Sequence, residues 1–155
     1  MTVPTSDFQR AYSILMAVEG GLAGAIDPKA WPNVDPAVMT EDEGKVFFLG
    51  NYWLPAYCIY FPYPMAVNVF DMAVNQGVEF AIKTFQAWLK VEVDGVVGPV
   101  TKAAINGLAN LTPTQLIEMN ASLYRMRVYA YMQDDGFAQY GPGWIDRLFK
   151  VAQEI

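Results

Sequence analysis

Met65-Ala66-Val67-Asn68-Val69-Phe70-Asp71-Met72-Ala73-Val74-Asn75 is apolar nearly all round, interrupted only by Asn68, Asp71 and Asn75. A run of this length with neither Gly nor Pro predicts a helix buried on every side. Steps of three and four put the three polar residues on one stripe, a narrow polar line on an otherwise buried surface. Such a stripe is either a hydrogen-bonded packing seam or the lining of a cleft. Gly77 closes the helix as a C-terminal cap, and a chain organised around it is expected to be mostly α.

The flanking punctuation agrees. Upstream, Ser6 and Gln9 form a capping box, and Phe8, Ala11, Tyr12, Leu15 and Val18 follow at helical spacing until Gly20-Gly21. Gly24, Pro28, Pro32 and Pro36 then predict a small irregular or short β-hairpin lobe near the N-terminus. Thr40-Glu41-Asp42-Glu43 caps a short helix reaching Leu49, and Pro55, Pro62 and Pro64 break the segment between that helix and Met65. Downstream, Phe80, Ala81, Thr84, Phe85, Trp88 and Leu89 mark an amphipathic helix, and Gly98-Pro99 leads into another. Thr112-Pro113-Thr114-Gln115 opens the longest helix, to about Met132; Gln133 to Gly143 reads as loop, and a last helix carries Trp144, Ile145, Leu148, Phe149 and Ala152.

At 155 residues, with 54% hydrophobic and 17% charged, the chain is long enough for one real core without staples. It contains no histidine and one cysteine. This excludes nucleophile–His pairs, His-ligated zinc, disulfide frameworks and thiolate metal clusters, so no metal and no cofactor is expected. Cys58 reads as a small core hydrophobe. Ten basic against sixteen acidic residues, net charge −6, argue against a nucleic-acid partner. The first twenty residues lack a signal-peptide pattern and no apolar run reaches membrane-spanning length, so neither export by its own signal nor stable membrane insertion is expected.

The remaining chemistry belongs to carboxylates, hydroxyls and backbone groups, and Glu19 is the leading candidate. It closes the first helix, where the negative dipole end and the apolar neighbours Met16, Ala17 and Val18 disfavour a charged carboxylate. A carboxyl kept protonated suits proton delivery to a glycosidic oxygen, and Gly20-Gly21 leaves room for a bulky sugar. The plain alternative is a solvated Glu before a Gly stop. Asp27, Asp35, Thr40, Glu41 and Asp42 follow as candidates for a second group, and no spacing rule selects among them.

Ile14-Leu15-Met16-Ala17-Val18-Glu19-Gly20-Gly21 resembles the catalytic Glu-Gly-Gly motif of the phage and bacterial N-acetylmuramidases of glycoside hydrolase family 108. Tyr52-Trp53, the Val69–Gly77 helix with its Phe-Asp and Val-Asn pairs, Phe85-Gln86, Asp94–Thr101 and Gly143–Arg147 are similar to further family motifs, in the same order. The resemblance implies a lysozyme-like helical domain over 1–155, with a catalytic part (1–80) and a helical, peptidoglycan-binding-like part (81–155). It implies hydrolysis of the β-1,4 bond between N-acetylmuramic acid and N-acetylglucosamine, with Glu19 as general acid. The stripe Asn68, Asp71 and Asn75 would face the glycan groove or brace Glu19. Tyr52, Trp53 and Trp144 are either sugar-stacking or core aromatics. The chain departs from the family pattern after Asp27-Pro28, where Gly-Gly-x-Thr is missing. Asp27 is the nearest match to the family's second catalytic group, with Asp35 and Thr40 as substitutes. A monomeric enzyme acting on peptidoglycan strands is expected, made in a host cytoplasm and working on the periplasmic wall during phage-mediated lysis. Lytic transglycosylase chemistry, which can use a single Glu, is a variant of that reading. The contrasting expectation is a non-catalytic peptidoglycan-binding or virion structural protein on a degenerate muramidase fold.

Overall fold

The structure is a computed structural model and describes residues 5–155; the first four positions read for a signal peptide lie outside it. The described residues are mostly helical: α1 (Ser6–Glu19), α2 (Leu22–Ala25), α3 (Glu41–Phe48), α4 (Met65–Gln76), α5 (Val78–Leu89), α6 (Pro99–Gly107), α7 (Pro113–Met132) and α8 (Phe137–Glu154). A π-helical turn (Leu49–Trp53) and two 3-10 turns (Cys58–Tyr60, Leu108–Asn110) join them. No helix among the described residues is long and apolar enough to cross a membrane.

The central helix is as the pattern predicts: every residue of α4 from Met65 to Ala73 is buried. α1 packs on one side of it, α5 and α7 on others, and α8 lies against α7 and α1. Four aromatics meet edge-on where α1, α3, the π turn and α4 converge. Phe8 stands 5.4 Å from Trp53 and 6.0 Å from Phe70, and Trp53 stands 5.5 Å from Phe70. Phe48 closes the group against Phe70 at 6.3 Å. These offset geometries suit the ring quadrupoles and fill volume that small side chains would leave open. Cys58 belongs to the same core, and burial pushes its thiol well above the ordinary range. Leu123 and Val151 join it too, so residues before and after position 80 share one hydrophobic cluster.

The Thr40/Glu43 and Thr112/Gln115 capping boxes form as expected. The first box does not. Thr5, in extended conformation, is the N-cap of α1 and accepts from the Phe8 N–H at 3.3 Å, leaving Ser6 as the first helical residue.

Two larger expectations are corrected. No β-hairpin occurs among the described residues; the lobe from Ile26 to Met39 is a series of turns. Its backbone bonds run over three or four residues, from Trp31 N–H to Asp27 O, Val34 N–H to Trp31 O and Val38 N–H to Asp35 O. Asp27 and Asp35 each accept from the N–H two residues on, at 2.9 and 3.0 Å, which bends the chain where a ladder would need it extended. Trp31 pins the lobe to the body, donating its indole N–H to the Tyr52 hydroxyl at 2.7 Å and packing edge-on against Phe47. The second correction is at Gln133–Gly143, where helix resumes at Phe137 and runs through Pro142. Trp144 packs against buried Tyr131 at 5.4 Å and against Phe137 at 6.4 Å, and Gly141 lies where a Cβ would meet the Phe137 ring at 2.5 Å. This packing outweighs the lost backbone bond at Pro142.

Candidate active site

Glu19 ends α1, and the chain then turns through two residues that only glycine adopts readily, Gly20 at φ 73° and Gly21 at φ 103°. Both N–H groups donate to the Met16 carbonyl, which closes the helix end. α2 then folds back onto that end. Gly24 lies so close that a Cβ there would sit 1.9 Å from the Glu19 carbonyl oxygen, so the return of the chain depends on a bare backbone.

The Glu19 side chain, 19% exposed, is hydrogen-bonded through Oε1 to the Arg147 guanidinium of α8. Arg147 is shared: its Nη2 and Nε donate to Asp71 Oδ1 at 2.8 and 3.1 Å. Asp71 Oδ2 accepts from Arg127 Nη2 at 2.8 Å. Arg127, fully buried in α7, also donates to the Tyr131 hydroxyl at 3.0 Å and to Asn68 Oδ1 at 2.9 Å. Asn68 in turn donates to Asn120 Oδ1 at 3.0 Å. Each guanidinium of this chain thus faces an acidic partner, Asp71 for both and Glu19 in addition for Arg147, the condition for burying cations at tolerable cost. Burial works against both guanidiniums, but facing Asp71 raises each above the ordinary arginine value, with Tyr131 assisting Arg127 and Glu19 assisting Arg147. Burial likewise pushes the Tyr131 hydroxyl up against the pull of Arg127, so it stays a neutral partner.

The polar stripe of α4 therefore divides. Asn68, 0% exposed, belongs to a hydrogen-bonded seam. Asp71 is buried and reaches Glu19 through Arg147, whereas Asn75 is half-buried near the helix end. Trp53, 1% exposed, is core and presents no ring face to a sugar. Tyr52 is half-buried, stacked on Phe48 at 5.6 Å and bonded to Trp31. Asp27 is exposed on the turn after α2, its Oδ1 engaged by the Lys29 N–H. Asp35 and Thr40 are likewise committed to a local turn and a helix cap. None of these three is hydrogen-bonded to Glu19.

In the sequence Arg147 stands out only as part of a motif, and Arg127 belongs to none. A signal exists for the second: Asn120, Leu123, Arg127 and Tyr131 follow at steps of three and four, and all four are buried. A charge on such a stripe requires a buried partner of opposite sign. The Gln86 and Asp94–Thr101 motifs make structure elsewhere. Buried Gln86 donates to Asp94 Oδ1 at 2.8 Å, Val96 O at 3.0 Å and Thr101 Oγ1 at 3.3 Å, and accepts from the Gly95 N–H at 2.9 Å, pinning the loop before α6 to α5.

This fold is that of a solved structure described as that of Brucella abortus SagA. The two agree with a TM-score of 0.72 at 23% identity, over 95% of this chain and 92% of that one. Residues 19–77 match the family model Glycosyl hydrolase 108, a span that opens on Glu19 and contains Asp71 but stops short of Arg127 and Arg147. No curated protein matches the chain.

Proposed function

We propose that this protein is a peptidoglycan hydrolase of the muramidase type on a lysozyme-like fold, with Glu19 as its general acid. The observation that carries the reading is a partly exposed carboxyl at a glycine-closed helix end, held in one orientation by Arg147, which the buried Asp71 fixes. The family match over residues 19–77 supports the reaction class. In the proposed step, the Glu19 proton passes to the oxygen of the β-1,4 bond, the bond from that oxygen to C1 of N-acetylmuramic acid breaks, and water adds at C1 after losing a proton. Asp27 is the proposed acceptor of that proton, by its place in the family pattern. Asn75 and Tyr52 are the proposed glycan contacts among the stripe and aromatic residues. The proposed setting is the periplasmic wall of a phage host.

Purified protein incubated with sacculi is expected to release new reducing ends, and Glu19→Gln to abolish the release. Anhydro-muramic products in their place would move the reaction to lytic transglycosylation. Release by Glu19→Gln at the parental rate would remove Glu19 from the role of acid. A second reading, a glycan-binding or virion structural protein, is favoured by one observation: Asp27, Asp35 and Thr40 are all tied into local turns or caps. Co-sedimentation with sacculi and no soluble product from the parent protein would select it.

A further inference from the structure

α7 ends at Met132 and α8 begins at Phe137, so the two pack as an antiparallel hairpin. An apolar groove runs along its outer side, lined by Ala121, Tyr124 and Val128 of α7 and by Ile145, Phe149 and Ala152 of α8. It continues past Ala121 and Ala152 to Ile117. Ile117, Ala121, Tyr124 and Val128 follow at steps of four, three and four, and Ile145, Phe149 and Ala152 at four and three, the spacing of a seam between helices. Ile117 is 66% and Phe149 65% exposed, so nothing among the described residues covers this seam. Arg147, two positions from both Ile145 and Phe149, lies about 200° around α8 from them, so the groove is on the back of the helix that holds Glu19.

The charges beside the seam select its occupant. Glu118 and Arg125 are exposed, stand seven residues apart and so share one position of the repeat, and neither is ion-paired among the described residues. A second α7 laid antiparallel across the first, about a two-fold axis between Ala121 and Ser122, brings each Glu118 level with the partner's Arg125. A parallel copy would set like charges level. Ala121, at the axis, is small enough to let the helices approach. On α8 the exposed Asp146 and Lys150 also cancel, so this face is neutral on a chain of net charge −6, which disfavours self-contact through its acidic surfaces. With α7 about 30 Å long and the hairpin about 20 Å wide, the face offers about 600 Å² before its relief is counted, approaching the roughly 800 Å² per partner of a stable complex. We propose that the α7–α8 face is the interface of a two-fold homodimer, in which two antiparallel hairpins close a four-helix bundle. The expected monomer would leave the seam in water. The inference does not depend on the hydrolytic reading of Glu19.

Sedimentation equilibrium of the full chain, from low to high micromolar, is expected to reach a mass of twice 17.3 kDa. Phe149→Glu places a charge in the seam at an exposed position and is expected to leave monomer only, with Tm retained. Arg125→Glu sets acidic side chains level with each other on both sides of the axis and is expected to weaken association about tenfold, the combined worth of two exposed pairs turned repulsive. Adding Glu118→Arg to that variant restores opposite charges and is expected to return the parental dissociation constant, a rescue that a merely structural role of Arg125 would not give. A parent that stays monomeric throughout the range overturns the proposal, as does a dimer that neither Phe149→Glu nor Arg125→Glu weakens. Association lost in Phe149→Glu but not rescued in the charge-exchanged protein would overturn the antiparallel two-fold. Mass and release of reducing ends are separate measurements, so failure of the dimer and failure of the hydrolase are told apart.

Discussion

Glu19 and Arg147 lie 128 residues apart in the chain and are joined by a hydrogen bond from the guanidinium to a carboxyl oxygen. Arg147 spends its other donors on Asp71, so the orientation of Glu19 is set by the central helix through an intermediary. Arg147 is a positioning residue in this scheme, and the fork of its guanidinium is what allows two carboxylates to be held at once.

Arg147→Lys is accordingly expected to lower kcat by roughly 10–100-fold, in the range caused by small misplacements of a reacting group, with KM little changed. A lysine has the charge but not the fork. Steady-state release of reducing ends from sacculi measures the split. A parental kcat in this variant would show that orientation by Arg147 contributes nothing.

Asp71→Asn tests the buried network as a structural element. Two guanidiniums would lose their main counter-charge, one of them fully buried, at a cost of about 3–5 kcal/mol. In a domain of this size that is a drop in Tm of roughly 6–20 °C. Thermal unfolding followed by circular dichroism reads it, and a Tm within a degree or two of the parent would mean that the charges are solvated.

Gly24→Ala should damage both fold and site, although alanine is the better helix former. The new methyl would meet the Glu19 carbonyl oxygen at 1.9 Å, so α2 must move off the end of α1, at a cost of about 1–3 kcal/mol. Gly50→Ala serves as the comparison, since nothing lies within 4 Å of a Cβ there. A lower Tm and weaker activity are expected for the first substitution only, and equal behaviour of the two would refute the contact.

Asp94 supplies a pH dependence with a defined sign. The Val96 N–H and the Gln86 amide hold its carboxyl below the ordinary carboxylate range in the native state. A depressed folded-state pKa stabilises fully above the unfolded-state value, and the contribution disappears as pH falls through the folded-state value. Asp94→Asn keeps an acceptor oxygen but not the charge. Its Tm should therefore lie below the parent's at pH 7, with the gap closing as the pH is lowered below about 4. A gap that stayed constant across that range would contradict the ionic origin.

The elements easiest to read in the sequence are those whose causes are local. The α4 pattern, the Thr40 and Thr112 boxes and the Gly77 stop each depend on residues within about one turn, and each forms. The lobe is harder, because prolines and aspartates specify bending without saying whether the ends will pair as strands. The α8 start is hidden by Gly136, Gly141, Pro142 and Gly143, whose breaking tendency yields to aromatic packing across α7. Glu19 stands out by its position before Gly-Gly. Its partner does not, since Arg127 and Arg147 meet the stripe of α4 only through the topology that brings α7 and α8 against it. The same stripe suggests a cleft lining, and Asn68 is interior because a guanidinium fills the space beside it.

The contact between α1 and α8 also imposes an order on events during synthesis. Glu19 is joined to the chain about 6–25 s before Arg147 at ordinary elongation rates. Through that interval the carboxyl at the end of α1 lacks the guanidinium that holds it in the folded chain, and Asp71, once made, waits for Arg127 and then Arg147. The nascent chain therefore carries the candidate site unassembled until the last helix has been made and docked.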